Sequence, residues 1–165
     1  EPEFKDYAEK VVVNAKTLAD ELKQKGFKLV SDGTDNHLIL MDLTTGGAGR
    51  GVFFHEALER IGIYANKNTI PGDPSSPFYP SGLRIGTPAV TTRGMSEGEM
   101  KLIADWIYRI GEHIKEINLP DDKEERKQVL RDFRASLKSD SFYDDLRAEA
   151  EGICVRFAEP GVSTD

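Results

Sequence analysis

The chain has 165 residues, of which 38% are hydrophobic and 31% charged, with a formal net charge of −7. This composition predicts a soluble globular protein, and its acidic balance argues against nucleic acid or an anionic membrane as a partner. No apolar run approaches the roughly 20 residues of a membrane span. Cys154 is the single cysteine, so no intrachain disulfide can form and we expect a cytoplasmic protein.

The first part of the chain predicts a helix followed by a hairpin. Apolar residues recur at three- and four-residue spacing from Phe4 to Lys25, which indicates an amphipathic helix. Phe27 to Ser31 and His37 to Leu43 are predicted strands, joined by turn formers at 32–36. The second strand is apolar enough to be covered on both faces.

A glycine-rich segment, residues 44–51, follows the hairpin. It lacks the spacing of a phosphate-binding or dinucleotide-binding loop, so we predict a flexible connection. Val52 to Ile61 is a predicted helix, and Ile63 to Ala65 a short third strand. His55-Glu56 is not followed by the second histidine of a zinc-binding helix, so we predict no metal site.

The middle of the chain, residues 66–95, combines turn formers with one arginine between aliphatic residues. The prolines between Pro71 and Pro80 exclude a helix there and permit at most extended or edge-strand structure. Leu83 to Ala89 then has the pattern of a strand that encloses Arg84. A buried arginine needs a partner. Arg84 therefore either awaits an anionic ligand or forms an internal ion pair with one of the chain's own acids.

Three helices are predicted after this stretch. Ser96 and Glu99 form a capping box for a helix that ends at Leu119-Pro120, and a second helix starts at Asp121. The last helix runs from Phe142 to Phe157, and residues 159–165 are expected to fray. Two aromatic residues of the first of these helices lie off its apolar stripe, so they face a second surface or stay half-exposed: Trp106 and Tyr108. The order of elements predicts an α+β fold with two layers, a short, mostly antiparallel sheet covered by helices.

Several strings of this sequence, in order along the chain, resemble the C-terminal part of serine hydroxymethyltransferase. They are SDGTDNHLILMDL at 31–43, NKNTIP at 66–71, Asp73-Pro74 with Ser76-Pro77-Phe78, and SGLRIGTPAVTTRGM at 81–95. The similarity runs from about Phe4 to the helix after Met95 and continues more loosely to Phe157.

The resemblance implies the small C-terminal domain of a fold-type I pyridoxal-phosphate enzyme. Enzymes of this family interconvert serine and glycine, transfer a one-carbon unit to tetrahydrofolate, and work as homodimers or tetramers. On this basis we expect a leading helix at 1–26, an α/β core with the substrate loop at 27–119, and C-terminal helices at 120–165.

The resemblance also assigns roles to residues of the middle stretch. Arg84 matches the arginine that binds the substrate α-carboxylate, which favours the ligand interpretation of that residue. Asn68 matches the asparagine that contacts the folate pterin ring. Ser76, Pro77 and Phe78 match the loop that lines the folate side of the site.

The chain departs from the family in one respect. The Thr-Thr-Thr-His-Lys motif that carries the cofactor lysine is absent, so we expect no catalytic residue in this chain. It then resembles an excised domain that needs its own large domain, binds no pyridoxal phosphate alone and is inactive alone. The alternative is a free-standing ligand-binding or interaction module that reuses this fold, in which Arg84 holds a different acid.

Overall fold

The computed structural model describes residues 2–157, and over that range the chain forms six α-helices and four β-strands. This agrees with the predicted α+β class; the predicted fraying of residues 159–165 lies outside the described residues. In chain order the elements are α1 (Pro2–Gln24), β1 (Lys28–Leu29), β2 (Leu38–Asp42), α2 (Gly51–Arg60), β3 (Asn66–Asn68), β4 (Gly82–Gly86), α3 (Pro88–Thr92), α4 (Glu97–His113), α5 (Lys123–Ser139) and α6 (Ser141–Cys154).

The four strands form one antiparallel sheet in the order β1-β2-β4-β3. The predicted hairpin pairing of β1 with β2 is confirmed, although β1 is only two residues long. The prediction of a strand at 63–65 is wrong, because the third strand begins at Asn66. Its Asn-Lys-Asn sequence carries no apolar alternation, so only its pairing with β4 reveals it.

The sheet is covered by helices on one face only. Ile39 pairs with Ile85, and both point into the core. Leu40 pairs with Arg84, and these two side chains lie on the opposite, open face because successive residues of a strand alternate in direction. The prediction that β2 is covered on both faces is therefore wrong. The second face of β2 is apolar in sequence, but it is partly exposed, and no second layer of helices within residues 2–157 covers it.

The helices pack around a single continuous core that includes α5 and α6. Trp106 on α4 is 6% exposed, and its indole N–H donates to Glu149 of α6 at 3.1 Å. The second surface predicted for this helix is thus the surface that α6 covers. Tyr108, by contrast, is the half-exposed aromatic residue of the other interpretation.

Helices α4 and α5 begin at residues that can cap them, and these residues locate the helix ends better than the spacing of apolar residues does. The predicted capping box is present, with the Glu99 carboxylate accepting from the Ser96 N–H at 2.8 Å. The cap of α5 is Asp122 rather than Asp121, because the Asp122 carboxylate accepts from the N–H of Glu124 and of Glu125. The short helix α3 was not predicted; it begins at Pro88, a residue suited to the first turn.

The glycine-rich segment 44–51 is packed, and the prediction of a flexible connection is wrong. Arg50 is 4% exposed, and its guanidinium donates to the carbonyls of Ile114 and Ile117 beyond the end of α4. The Gly51 N–H donates to the Pro80 carbonyl at 3.0 Å, which attaches this segment to the start of β4. No helix within residues 2–157 is long and apolar enough to cross a membrane.

Candidate functional site

A cleft of about 750 Å³ lies on the open face of the sheet. Its floor is formed by side chains of β2, β3 and β4, and its walls by α1 and by the connection between β1 and β2. The residues that line it include Lys16, Asp20, Ser31, Asp32, Asp35, Leu40, Asn68 and Arg84. The cleft therefore contains two residues of the predicted site.

Arg84 reaches the cleft because of its place on β4. Its neighbours Leu83 and Ile85 are buried, so the alternation of the strand turns Arg84 outward. The side chain is exposed, and it forms no ion pair with any carboxylate of residues 2–157. The interpretation of a buried arginine is wrong for this position. Its guanidinium is free to bind an anion, however, as the ligand interpretation requires.

Asn68 lies at the end of β3 and lines the same cleft. Its side-chain amide donates to the Thr69 carbonyl at 2.7 Å, which orients the carboxamide. Asn66, two residues earlier, stands directly opposite Arg84 in the β3–β4 register. The short edge strand thus brings Asn68 and Arg84 to one face, although they are 16 positions apart in the sequence.

Gly82 makes the close approach of β3 to β4 possible. A Cβ atom at this position would lie 2.6 Å from the Asn68 carbonyl oxygen and 3.0 Å from the Met41 carbonyl oxygen. Real Cβ atoms do not approach carbonyl oxygens so closely, so only glycine allows Asn68 its present place. The sequence contains no signal of this packing beyond the glycine itself.

Ser76, Pro77 and Phe78 lie on the loop between β3 and β4, and all three are exposed. Phe78 is 82% exposed, and none of the three lines the cleft that holds Arg84. The structure therefore brings Arg84 and Asn68 together but places these three residues outside that cleft.

Asp73 organises this loop, a role that the resemblance did not assign to it. Its carboxylate accepts from the Ser75 N–H at 2.9 Å, the Ser81 N–H at 2.9 Å and the Ser81 hydroxyl at 2.6 Å. Burial by itself would raise the pKa of Asp73, but these hydrogen bonds outweigh it and hold the pKa below its ordinary value. The signal in the sequence is an aspartate among prolines, glycine and serines, which is typical of side-chain-capped turns.

The far wall of the cleft has an unusual backbone. Ser31 and Asp32 both adopt the left-handed conformation, with φ of 65° and 52°. Lys23 holds this turn by an ion pair to the Asp32 carboxylate at 2.8 Å. Non-glycine residues rarely take this conformation, and such strain is common beside binding sites.

The cleft does not fit pyridoxal phosphate by itself. Three carboxylates line it, those of Asp20, Asp32 and Asp35, against the two cations Lys16 and Arg84, and this balance disfavours a phosphate group, which carries more negative charge than a single carboxylate. Lys16 is the lysine that lines the cleft, and it lies within α1 rather than in the family's lysine motif. Among residues 2–157 no cluster of three or more potential ligands could hold a metal ion.

The fold and the cleft define a small α+β domain that presents a free guanidinium on the open face of its sheet. A family model described as serine hydroxymethyltransferase matches residues 1–107. The chain belongs to the serine hydroxymethyltransferase family.

Its relatives include the serine hydroxymethyltransferase of Acidothermus cellulolyticus, which is 60% identical over 111 residues, 67% of this chain and 26% of that protein. The enzyme of Methanospirillum hungatei is 52% identical over 128 residues, 78% of this chain and 31% of that protein. The enzyme of Halorhodospira halophila is 47% identical over 134 residues, 81% of this chain and 32% of that protein. The matches thus span about a quarter to a third of the length of these relatives.

Proposed function

We propose that this chain supplies the substrate-carboxylate arginine of a cytoplasmic serine hydroxymethyltransferase. The complete enzyme would interconvert serine and glycine and transfer a one-carbon unit to tetrahydrofolate. The observation that carries the proposal is the free guanidinium of Arg84, which lies in a cleft beside Asn68 and has no ion pair among residues 2–157.

Arg84 is well placed to orient an amino acid. A guanidinium binds a carboxylate through two parallel hydrogen bonds, which fix direction as well as position. The backbone of Arg84 is paired on both sides, with β2 through Leu40 and with β3 through Asn66. A central strand holds its side chains more firmly than a loop does. A carboxylate bound to Arg84 would therefore have few orientations, and this limits the orientations of the reacting bonds.

The folate side of the site is proposed on the same basis. Asn68 shares the cleft with Arg84 and offers an amide for hydrogen bonds to a pterin ring. Phe78 is exposed beside Ser76 and Pro77, and an exposed aromatic ring is suited to stacking on a flat ligand. These three residues would reach tetrahydrofolate at the outer rim, outside the cleft itself.

Pyridoxal phosphate would be bound by residues outside this chain, since the cleft does not fit it. We expect the open face of the sheet to meet the enzyme's own large domain and the complete enzyme to be a homodimer or tetramer. In this proposal residues 1–26 lead from the large domain, 27–119 carry the substrate site and 120–165 complete the helical layer. The chain alone would develop no pyridoxal absorbance and would not cleave serine.

The test is the substitution Arg84→Lys in the complete enzyme. Lysine keeps the charge but loses the two-pronged hydrogen bond, which is worth about 1.5–3 kcal/mol for a charged group. We expect kcat/KM for serine to fall by about 10- to 100-fold or more, which follows from that free energy. The matched control is Arg131→Lys, which changes an exposed arginine on α5 and should leave kcat/KM unchanged.

Near-normal turnover of serine by the Arg84→Lys enzyme would refute the assignment. The alternative of a free-standing binding module is favoured only by the observation that residues 2–157 form the cleft of Arg84 by themselves. A parent reading frame that lacks the family's lysine motif would support that alternative.

A further inference from the structure

A second cavity, of about 220 Å³, shares no lining residue with the Arg84 cleft. It is enclosed by α1, α4, α6 and the region that follows β4. Its wall is mostly apolar, and Leu18, Ile107 and Ala150 are among the buried residues that form it. A pocket of this kind binds small apolar bodies when a few polar groups fix their orientation.

Arg93 provides such a polar group. Its Nε–H is buried and has no hydrogen-bond partner within residues 2–157. One terminal nitrogen, Nη2, donates to the carbonyls of Cys154 at 2.9 Å and Phe157 at 3.1 Å. The guanidinium forms no ion pair with a described carboxylate. A buried donor without a partner is rare and calls for an acceptor in the cavity that it lines.

Glu99 also lines this cavity, but its carboxylate is already engaged. It accepts from the Ser96 N–H at 2.8 Å and from the Ser96 hydroxyl at 3.0 Å, as part of the capping box of α4. These hydrogen bonds hold the pKa of Glu99 below its ordinary value. The carboxylate of the capping box is therefore already paired with Ser96, and the Nε–H of Arg93 is a buried donor that has no partner within residues 2–157.

Two of the residues that line the cavity are exposed to solvent. Tyr64, which lines it, is 82% exposed, and Ala89 on α3 is exposed as well. Both residues form part of the rim, whereas Leu18 and Ile107 form the interior. We expect a ligand to enter beside Tyr64 and to place its apolar body against the interior residues.

We propose that this cavity binds a small monocarboxylate with an apolar or aromatic body. Its carboxylate accepts from the Nε–H of Arg93, and its body removes apolar surface of α1, α4 and α6 from water. The volume suits a molecule of about one ring, since it is below the roughly 300 Å³ at which ordinary ligand pockets begin. This site is independent of the function proposed for Arg84.

The chain contains its own reporter for this site. Trp106 is the single tryptophan of the sequence, and it lines the cavity. Benzoate is a suitable probe, and benzyl alcohol is a neutral control of nearly the same shape. Both are titrated at constant ionic strength while Trp106 emission and the midpoint of thermal unfolding are followed.

We expect benzoate to change Trp106 emission saturably and to raise the unfolding midpoint. Benzyl alcohol should bind at least about 10-fold more weakly, because a hydrogen bond to a charged group contributes that much or more. This comparison needs no variant, so it remains decisive even where a substitution prevents folding. Equal binding of the two probes, or no saturable change with benzoate, would overturn the proposal.

Variants locate the site. Arg93→Met should abolish the preference for benzoate, whereas Arg131→Met, on the exposed surface of α5, should leave it unchanged. Ala150→Leu fills the cavity and should abolish binding of both probes. If the Ala150→Leu protein is folded and still binds benzoate with unchanged affinity, the ligand lies elsewhere and the assignment fails.

Discussion

Arg50 caps the C-terminal end of α4 from inside the protein. Its guanidinium donates to the carbonyls of Gly46, Ile114, Lys115 and Ile117 at 3.0–3.2 Å. Burial lowers the pKa of Arg50. The partners are backbone carbonyls at a helix terminus, where a positive charge is favourable. Arg50 therefore stabilises the fold, while Arg84 keeps an exposed guanidinium.

The substitution Arg50→Met tests this role. It removes the donors and leaves the carbonyls that follow α4 unpaired, so we expect the free energy of unfolding to fall by about 2–4 kcal/mol. Urea denaturation monitored by circular dichroism measures the loss. Arg131→Met should change it by no more than about 0.5 kcal/mol. A similar, small effect of both substitutions would show that Arg50 does not act as a cap.

Gly82→Ala tests the close packing of β3 against β4. The new Cβ would meet the Asn68 carbonyl, so the strands must separate and we expect a loss of about 1–3 kcal/mol in unfolding free energy. The control is Gly98→Ala, because no atom lies within 4 Å of a Cβ there and alanine favours the first turn of α4. The prediction fails if both variants are equally stable in urea denaturation.

At the scale of an element, the loop between β3 and β4 is ordered by one carboxylate. Asp73 gathers the N–H groups of Ile70, Ser75 and Ser81, and Ser81 in turn accepts from the Gly49 N–H at 2.9 Å. The prolines of the loop restrict its backbone, and Asp73 determines which of the remaining conformations forms. Loop order thus depends on ionisation of Asp73.

The dependence on ionisation predicts a pH effect. Because the folded-state pKa of Asp73 is lowered, its contribution is present above the ordinary aspartate pKa and is lost as pH falls through the lowered value. We expect Asp73→Asn to reduce the unfolding free energy by about 1.5–3 kcal/mol at neutral pH. The difference between the two proteins should shrink as the pH falls through the lowered pKa of Asp73, because both side chains are then uncharged. A difference that does not change with pH would exclude this mechanism.

At the scale of the whole molecule, α6 belongs to the common core. Leu146 and Tyr143 are buried in the same cluster as residues of α1 and α2, and Arg60 of α2 forms an ion pair with Asp144. Burial raises the pKa of Tyr143 to about 12, because the charged phenolate is less stable where water is excluded. We infer that the C-terminal helices unfold together with the sheet.

Leu146→Ala tests this cooperativity. The substitution leaves a cavity in the core and should lower the unfolding free energy by about 2–5 kcal/mol. Trp106 emission and helical circular dichroism should shift together to a lower urea midpoint, as they do in a two-state protein. Two separate transitions, with only one shifted, would show that α6 is an independent unit.

Much of the fold follows from the sequence because the responsible interactions are local. Apolar spacing predicts α1, α2 and α4, and the capping box at Ser96 marks the start of α4 within one residue. The strings around Arg84 and Asn68 were sufficient to predict the family, which the comparisons confirm. Each of these signals acts over a few neighbouring residues, so each can be read without knowledge of the rest of the molecule.

Only the tertiary structure decided which arginine is buried and which is free. Arg50 lies in a segment that the sequence suggested to be flexible, and its partners just beyond the end of α4 are more than 60 residues away. Arg84 stands between two aliphatic residues, yet it is exposed because no layer of residues 2–157 covers its face of the sheet. Burial depends on contacts between distant parts of the chain, and neither the composition nor the local spacing of apolar residues reveals those contacts.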